Sequence, residues 1–421
     1  RPIQTFLLWP LHKRIVLVIS LVVLLFVAAA VLTLRYISRP AWHIQMLLHS
    51  EARALEAGDQ EKFFSLQDPA NKAWLRHQRN EFNSQQWARE RGEAWALEPV
   101  PKPKVVSVQQ QGEEIWAEVV IRRESGTWRK VEFFRRVNDE WKHTGPNVQF
   151  WGSPRETRTT HLHWTYRERD EECIASLLNQ GEEIYQRVCD DFGLLPAKGQ
   201  VTIKVAYSWD GLYLPFYPAG PTLSLPSPLL IGMKEDSEPQ TEQPLGALLV
   251  NYLAVQAVGG DVAKVTGARR AALDAIRHWE TWEVSSQERE PYWEAPLLQA
   301  IEAGELLPLS EVWGEDEPES YTLAVSQSHT LIDYIVTKYG RQSIAALLAA
   351  LSSSSSLEEA LQKALGPGFT MAQFESGWLA FIWARYEVAG VPPAVTPAPK
   401  KTSTPAPTAP PTPPLPAIPL P

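Results

Sequence analysis

The chain has 421 residues, with 40 Lys and Arg against 49 Asp and Glu, a net charge of -9, 17 Trp, 35 Pro and 2 Cys. That length accommodates two or three domains, whereas two cysteines exclude a disulfide-stapled scaffold, a zinc ribbon and an iron–sulfur cluster. Residues 1–40 carry +5 and no acid, 41–150 hold 16 charges of each sign, 151–390 hold -16 and the tail adds +2, so the acidic body argues against nucleic acid as a partner.

Residues 15–34 are uncharged, with only Ser20 and Thr33 as polar interruptions. Twenty residues of helix at about 1.5 Å each span one hydrocarbon core of roughly 30 Å. The run predicts a single transmembrane helix over 15–35, with 1–14 as a cytoplasmic stub and the C-terminal bulk outside the cytoplasm at the cell membrane. A signal peptide cleaved after Ala28–Ala30 is the rival reading.

Residues 41–152 read as a small module. Trp42, Ile44, Leu47, Leu48 and Leu55 form one helical stripe ending at Gly58, and a more charged helix follows over 70–92. Alternating segments at 114–122 and 130–137, with turns at Ser125-Gly126 and Asn138-Asp139, predict a meander that Trp141 continues. This element order, ending in EWKHTGPNVQFWG, resembles the cone-shaped fold of the nuclear transport factor family. The resemblance implies a curved sheet wrapped on a helix, which can hold a small ligand; no acid–base pair is evident, and a packed or dimerising module is expected.

Residues 153–390 form the second unit. A strand over 159–166 precedes a helix over 171–192 with Ile174, Leu177, Leu178, Ile184, Tyr185, Val188 and Phe192 on one face. Cys173 and Cys189 lie roughly 24 Å apart on this helix, too far for a disulfide, and are expected to be free buried thiols. His161 and His163 share a strand face without a third ligand beside them. Strands over 201–209 and 222–231 flank an aromatic loop in which Trp209, Tyr213, Phe216 and Tyr217 are candidates for a contact surface or a hydrophobic plug. Helices over 245–258 and 271–284 follow. Residues 320–351 and 369–382, with a Ser356–Glu359 capping box between them, supply three more. From 391 to 421, 13 of 31 residues are proline, a composition that predicts an extended, disordered tail.

The order of parts from 159 to 383 resembles the peptidase MA-like, gluzincin-type metallopeptidase domain of bacterial membrane proteins. The similarity is carried by Ser326-Gln327-Ser328, Tyr334, Tyr339-Gly340, Leu347-Leu348, Glu359-Ala360, Phe374 and Trp378, and by LSLPSP at 223–228. It implies an H-E-x-x-H helix followed by a helix bearing a third, carboxylate ligand, because zinc needs about three protein ligands and a glutamate to activate its water. Here the motif positions fall on Ala247, Leu248, Leu249, Val250 and Asn251, and the third ligand on Asp274, followed by Ala275 and, further on, Trp279. Asp274 and His278 share a helical face and are the weak alternative ligands. His329, Asp333 and Tyr334 read as packed residues.

The sequence thus predicts an α+β protein with an N-terminal transmembrane helix, a helix-plus-curved-sheet module and a mainly helical gluzincin-like domain with a small sheet. The expected function is a membrane-anchored, extracytoplasmic, catalytically degenerate peptidase-like module that binds a protein or peptide partner and has no cofactor. Two alternatives stand beside it: an active zinc peptidase using Asp274 and His278, and a cell-wall or glycan-binding protein using the aromatic loop.

Overall fold

A computed structural model describes residues 19, 20, 22, 24 and 40–386, except 92–93, 124–125, 197–199, 208–217, 219, 235–241, 286–290 and 315–319. The first unit opens with helices α1 (Pro40–Ala57), α2 (Gln60–Ser65), α3 (Lys72–Glu90) and α4 (Ala94–Leu97). Strands β1 (Lys104–Gln111), β2 (Glu114–Arg123), β3 (Gly126–Val137) and β4 (Glu140–Thr144) then form an antiparallel sheet in sequential order. Asn138 and Asp139, with φ of 49° and 66°, make the two-residue turn whose positive φ matches the twist of the β3–β4 hairpin.

Strand alternation assigns the two faces of this sheet. Ile115, Ala117 and Val119 of β2 and Phe134 of β3 bury against Ile44, Leu47 and Leu48 of α1. Trp116, Val131 and Phe133 face the other way and pack with Phe150, Trp151 and Leu230 at the junction with the second unit. A one-residue slip of either strand would exchange these sets, so burial on both faces fixes the register.

In the second unit β5 (Pro154–Arg158), β6 (Leu162–Arg167), β7 (Val201–Ala206) and β8 (Thr222–Pro226) lie in that order, with β5 antiparallel and the rest parallel. Helix α5 (Glu171–Phe192) is the crossover between β6 and β7, the connection that parallel neighbours require. Its Gly181 allows close approach: a Cβ there would lie 2.9 Å from the Trp164 ring and 3.1 Å from Leu162. A short helix α6 (Pro228–Ile231) leads to β9 (Met233–Lys234), which returns to pair antiparallel with β3 of the first sheet.

The remaining helices are α7 (Glu242–Ala257), α8 (Ala268–Val284), α9 (Pro291–Ala303), α10 (Leu309–Val312), α11 (Tyr321–Tyr339), α12 (Gln342–Ser353), α13 (Leu357–Leu365) and α14 (Met371–Arg385). Helix α7 is the hub: Leu245, Leu248, Leu249, Val250, Tyr252, Leu253 and Ala254 are all buried, so it is apolar on nearly every side, as a core helix must be. Cys173 and Cys189 are free and buried, and burial pushes both thiols up to about 11.

Three expectations are corrected. Among the described residues no helix is long and apolar enough to cross a membrane, so the fold class shown is α+β with two small sheets, and the expected N-terminal transmembrane helix is not among the described elements. The helices of sufficient length, α1, α3, α5 and α11, all carry charged side chains; of residues 15–35 only Ile19, Ser20, Val22 and Leu24 are described. The strand expected over 222–231 stops at Pro226, because Ser227 accepts the Leu229 N–H at 3.2 Å and Pro228 follows at the first helical position. Residues 320–351 divide into two helices at Gly340, whose φ is 85°. The proline-rich stretch 391–421 lies outside the described residues.

Candidate functional site

Helices α8, α10 and α11 enclose a cleft of about 620 Å³. Its lining includes the small side chains Ala271, Ala275 and Ala324, together with Val312 and Val325. Arg270, Asp274, Arg277 and His278 line it from α8, with Tyr321, Ser328 and His329 from α11 and Glu311 from α10. The side chains of α8 reach the cleft in adjacent rows, because positions 270, 271, 274, 275, 277 and 278 recur at three- and four-residue spacing.

The positions that the peptidase resemblance assigns to a metal are brought together in part. Leu248 is fully enclosed in the core and Asn251 is 8 % exposed; Ala247 is half-buried on α7. Asn251 and Asp274 meet through a third residue, Arg277, which is 2 % exposed. Its Nε donates to Asn251 Oδ1 at 2.8 Å, and its Nη1 donates to Asp274 Oδ1. Arg270 lies 3.5 Å from the other Asp274 oxygen. A guanidinium tethered to α8 thus links the second and third of the expected ligand positions.

This arrangement sets the electrostatics of the cleft. The Asp274 carboxylate, the weak metal ligand read from the sequence, is held by two arginines. Burial, aided by the Arg277 charge and opposed by Asp274, pushes the His278 imidazole below its ordinary value, so His278 is neutral at pH 7. Burial and Asp274 together raise the Tyr321 phenol. His329 is buried and stacks on Trp282 at 3.7 Å between ring centroids. Among the described residues no group of three His, Cys, Asp or Glu side chains could hold a metal ion. The cleft combines a compensated polar wall with an apolar lining.

The opposite face of α8 carries a second charged cluster that sequence reasoning passed over. Glu280 is fully buried; Arg341 reaches it at 3.2 Å and clasps Asp191 of α5 through Nε at 2.6 Å and Nη2 at 2.7 Å. Burial, then the neighbouring Asp191, push the Glu280 carboxyl well above the usual carboxylate range, while Arg341 opposes this. Arg341 also lies over the Trp279 ring at 5.0 Å. The indole of Trp279 donates to Asp333 Oδ1 at 2.7 Å, and Arg385 donates to the other oxygen of Asp333 at 2.6 Å. This chain of contacts seats α8 against α5, α11 and α14.

The first unit holds a third cluster, on the face of its sheet that α1 covers. His143 of β4 lies between two carboxylates: Nδ1 is 3.0 Å from both oxygens of Glu51, and Nε2 is 3.1 Å from Glu132. Gln67 donates to Glu51 at 2.6 Å and accepts the Trp74 indole N–H at 2.9 Å. Burial alone would lower the His143 imidazole, but the two carboxylates raise it to about 9. Burial would raise Glu132, yet Lys130 and His143 hold it down at about 2. No acid–base pair was evident in the sequence here: Glu132 and His143 stand 11 positions apart on neighbouring strands, and Glu51, 92 positions before His143, joins them only when α1 covers the sheet.

The other sequence candidates have ordinary partners. His161 Nδ1 pairs with Glu182, and its ring stacks on Tyr185 at 5.0 Å; His163 lies 3.2 Å from Glu156. Trp209, Tyr213, Phe216 and Tyr217 lie outside the described residues. No family model matches the chain, and no curated protein or solved structure matches it significantly.

Proposed function

We propose that this chain is a non-enzymatic binding or scaffolding protein, in which a peptidase-like cleft has exchanged a metal for a tethered cation and receives a protein or peptide partner. One observation carries this reading: Arg277, buried at 2 % exposure, bridges Asn251 and Asp274. A zinc site needs about three protein ligands. Asp274 already neutralises arginine charge, Asn251 is a neutral amide, and Leu248 replaces the glutamate that would activate water. A divalent ion brought to within 4 Å of the guanidinium would also meet repulsion of about 8 kcal/mol, twice the unit-charge value at an effective dielectric of 20.

The test is peptide cleavage by the full chain with added zinc, followed by mass spectrometry of a casein substrate. The substrate is expected to remain intact. Cleavage that disappears in Asp274→Ala would overturn the reading in favour of a peptidase with unorthodox ligands.

A further inference from the structure

A second cavity, of about 430 Å³, opens where the outer face of the first sheet meets the second unit. Its size falls within the range of small-ligand sites, about 300–1,000 Å³, and such sites favour junctions between structural units. Trp116, Phe133 and Tyr207 supply aromatic walls; Asn71, Glu114 and Asn147 supply planar polar groups. Trp116 and Tyr207 are only half-buried, and the Arg167 guanidinium lies over the Tyr207 ring at 4.8 Å.

The polar groups are held in place before any ligand arrives. Asn71 Nδ2 donates to Thr144 Oγ1 at 3.2 Å, and Thr144 Oγ1 donates to Asp68 Oδ2 at 3.0 Å. Asn147 donates to Glu114 and accepts the Gln149 N–H at 2.8 Å. Arg135 also lines the cavity, but the fully buried Asp68 takes its guanidinium at 2.7 Å. The remaining charge is the Glu114 carboxylate, so the lining offers an anion no net attraction.

We infer that this junction cavity binds an uncharged saccharide. Sugar rings present an apolar face that packs on aromatic rings and an edge of hydroxyls that planar amides and carboxylates can engage in pairs. The side chains that would do this are already ordered, which lowers the entropic cost of binding. This site is separate from the cleft of α8, α10 and α11.

The experiment is a calorimetric titration of the full chain with N-acetylglucosamine, glucose and glucuronate. Saturable binding of at least one uncharged sugar is expected, with glucuronate at least tenfold weaker. Trp116→Ala should weaken binding at least tenfold; because Trp116 also packs on Phe150 at 5.6 Å, Asn147→Ala provides a second variant with less effect on packing, and it should also bind more weakly. The inference is overturned if neither uncharged sugar saturates, if glucuronate binds as well as they do, or if folded Trp116→Ala and Asn147→Ala both keep the parent affinity.

Discussion

Replacing His143 by leucine is expected to destabilise the first unit by about 3–5 kcal/mol, the cost of leaving buried charge without its partner. Glu51 and Glu132 approach the imidazole from opposite sides, at 3.0 and 3.1 Å, and both would face an apolar side chain. The pH dependence follows from the two shifts. The His143 value is raised from 6.5 to about 9, so its contribution is complete below pH 6.5 and is lost as pH rises through 9. Glu132 is lowered from 4.5 to about 2, so its contribution is present above pH 4.5 and is lost as pH falls through 2. The network therefore contributes most between the two ordinary values. Denaturant unfolding of parent and variant across this span measures the difference; a loss below about 1 kcal/mol would place the energy of the unit elsewhere. Replacing Glu51, Glu132 and His143 together by apolar residues is expected to recover much of the loss, because the desolvated charges go with their partner.

Arg341→Leu is expected to cost about 3 kcal/mol, at the lower end of the range for breaking a buried pair because the arginine is partly exposed. The side chain is 33 % exposed, whereas Glu280 is 0 % and Asp191 13 % exposed. Without the guanidinium, the two carboxyl groups would face each other across α5 and α8. The Glu280 carboxyl is raised to about 8 in the folded parent by burial and Asp191, against the opposition of Arg341; the burial penalty is common to parent and variant, and the loss specific to the variant grows as pH rises through that value, where Arg341 stabilises the ionised form. The variant should thus lose more stability at about pH 9 than at about pH 6. Adding Glu280→Gln should flatten that dependence. Thermal unfolding of the single and double variants at both pH values is the check, and equal losses at the two would contradict the assignment.

The elements legible in the sequence are those whose side chains sort cleanly by period. Helix α5 was readable over its whole length because seven apolar residues fall on one face, and the β2–β3 hairpin because both strands alternate. Helix α9 was not, since Pro296 interrupts it, and β1 and β5 were not, since their polar sequences KVVSVQQQ and PRETR are largely exposed. The Pro226-Ser227-Pro228 run did contain the signal for α6, a capping serine before a proline at the first helical position. At the candidate site, Asp274 and its neighbours Arg270 and Arg277 stand one turn apart on a single helix and could be paired from spacing alone. That Arg277 reaches across to Asn251 depends on how α7 and α8 pack, which no local pattern encodes. The carboxylate clusters around His143 and Glu280 escaped for the same reason: their members come from distant segments, and burial, which creates their shifts, is a tertiary property.

The proposed role of Arg277 is to occupy the place of a metal ion with its guanidinium. It is tested most directly by measuring the zinc content of the full chain, purified without chelators and then incubated with zinc and desalted. No stoichiometric zinc is expected. A content of about one zinc per chain, lost in Asp274→Ala, would contradict it.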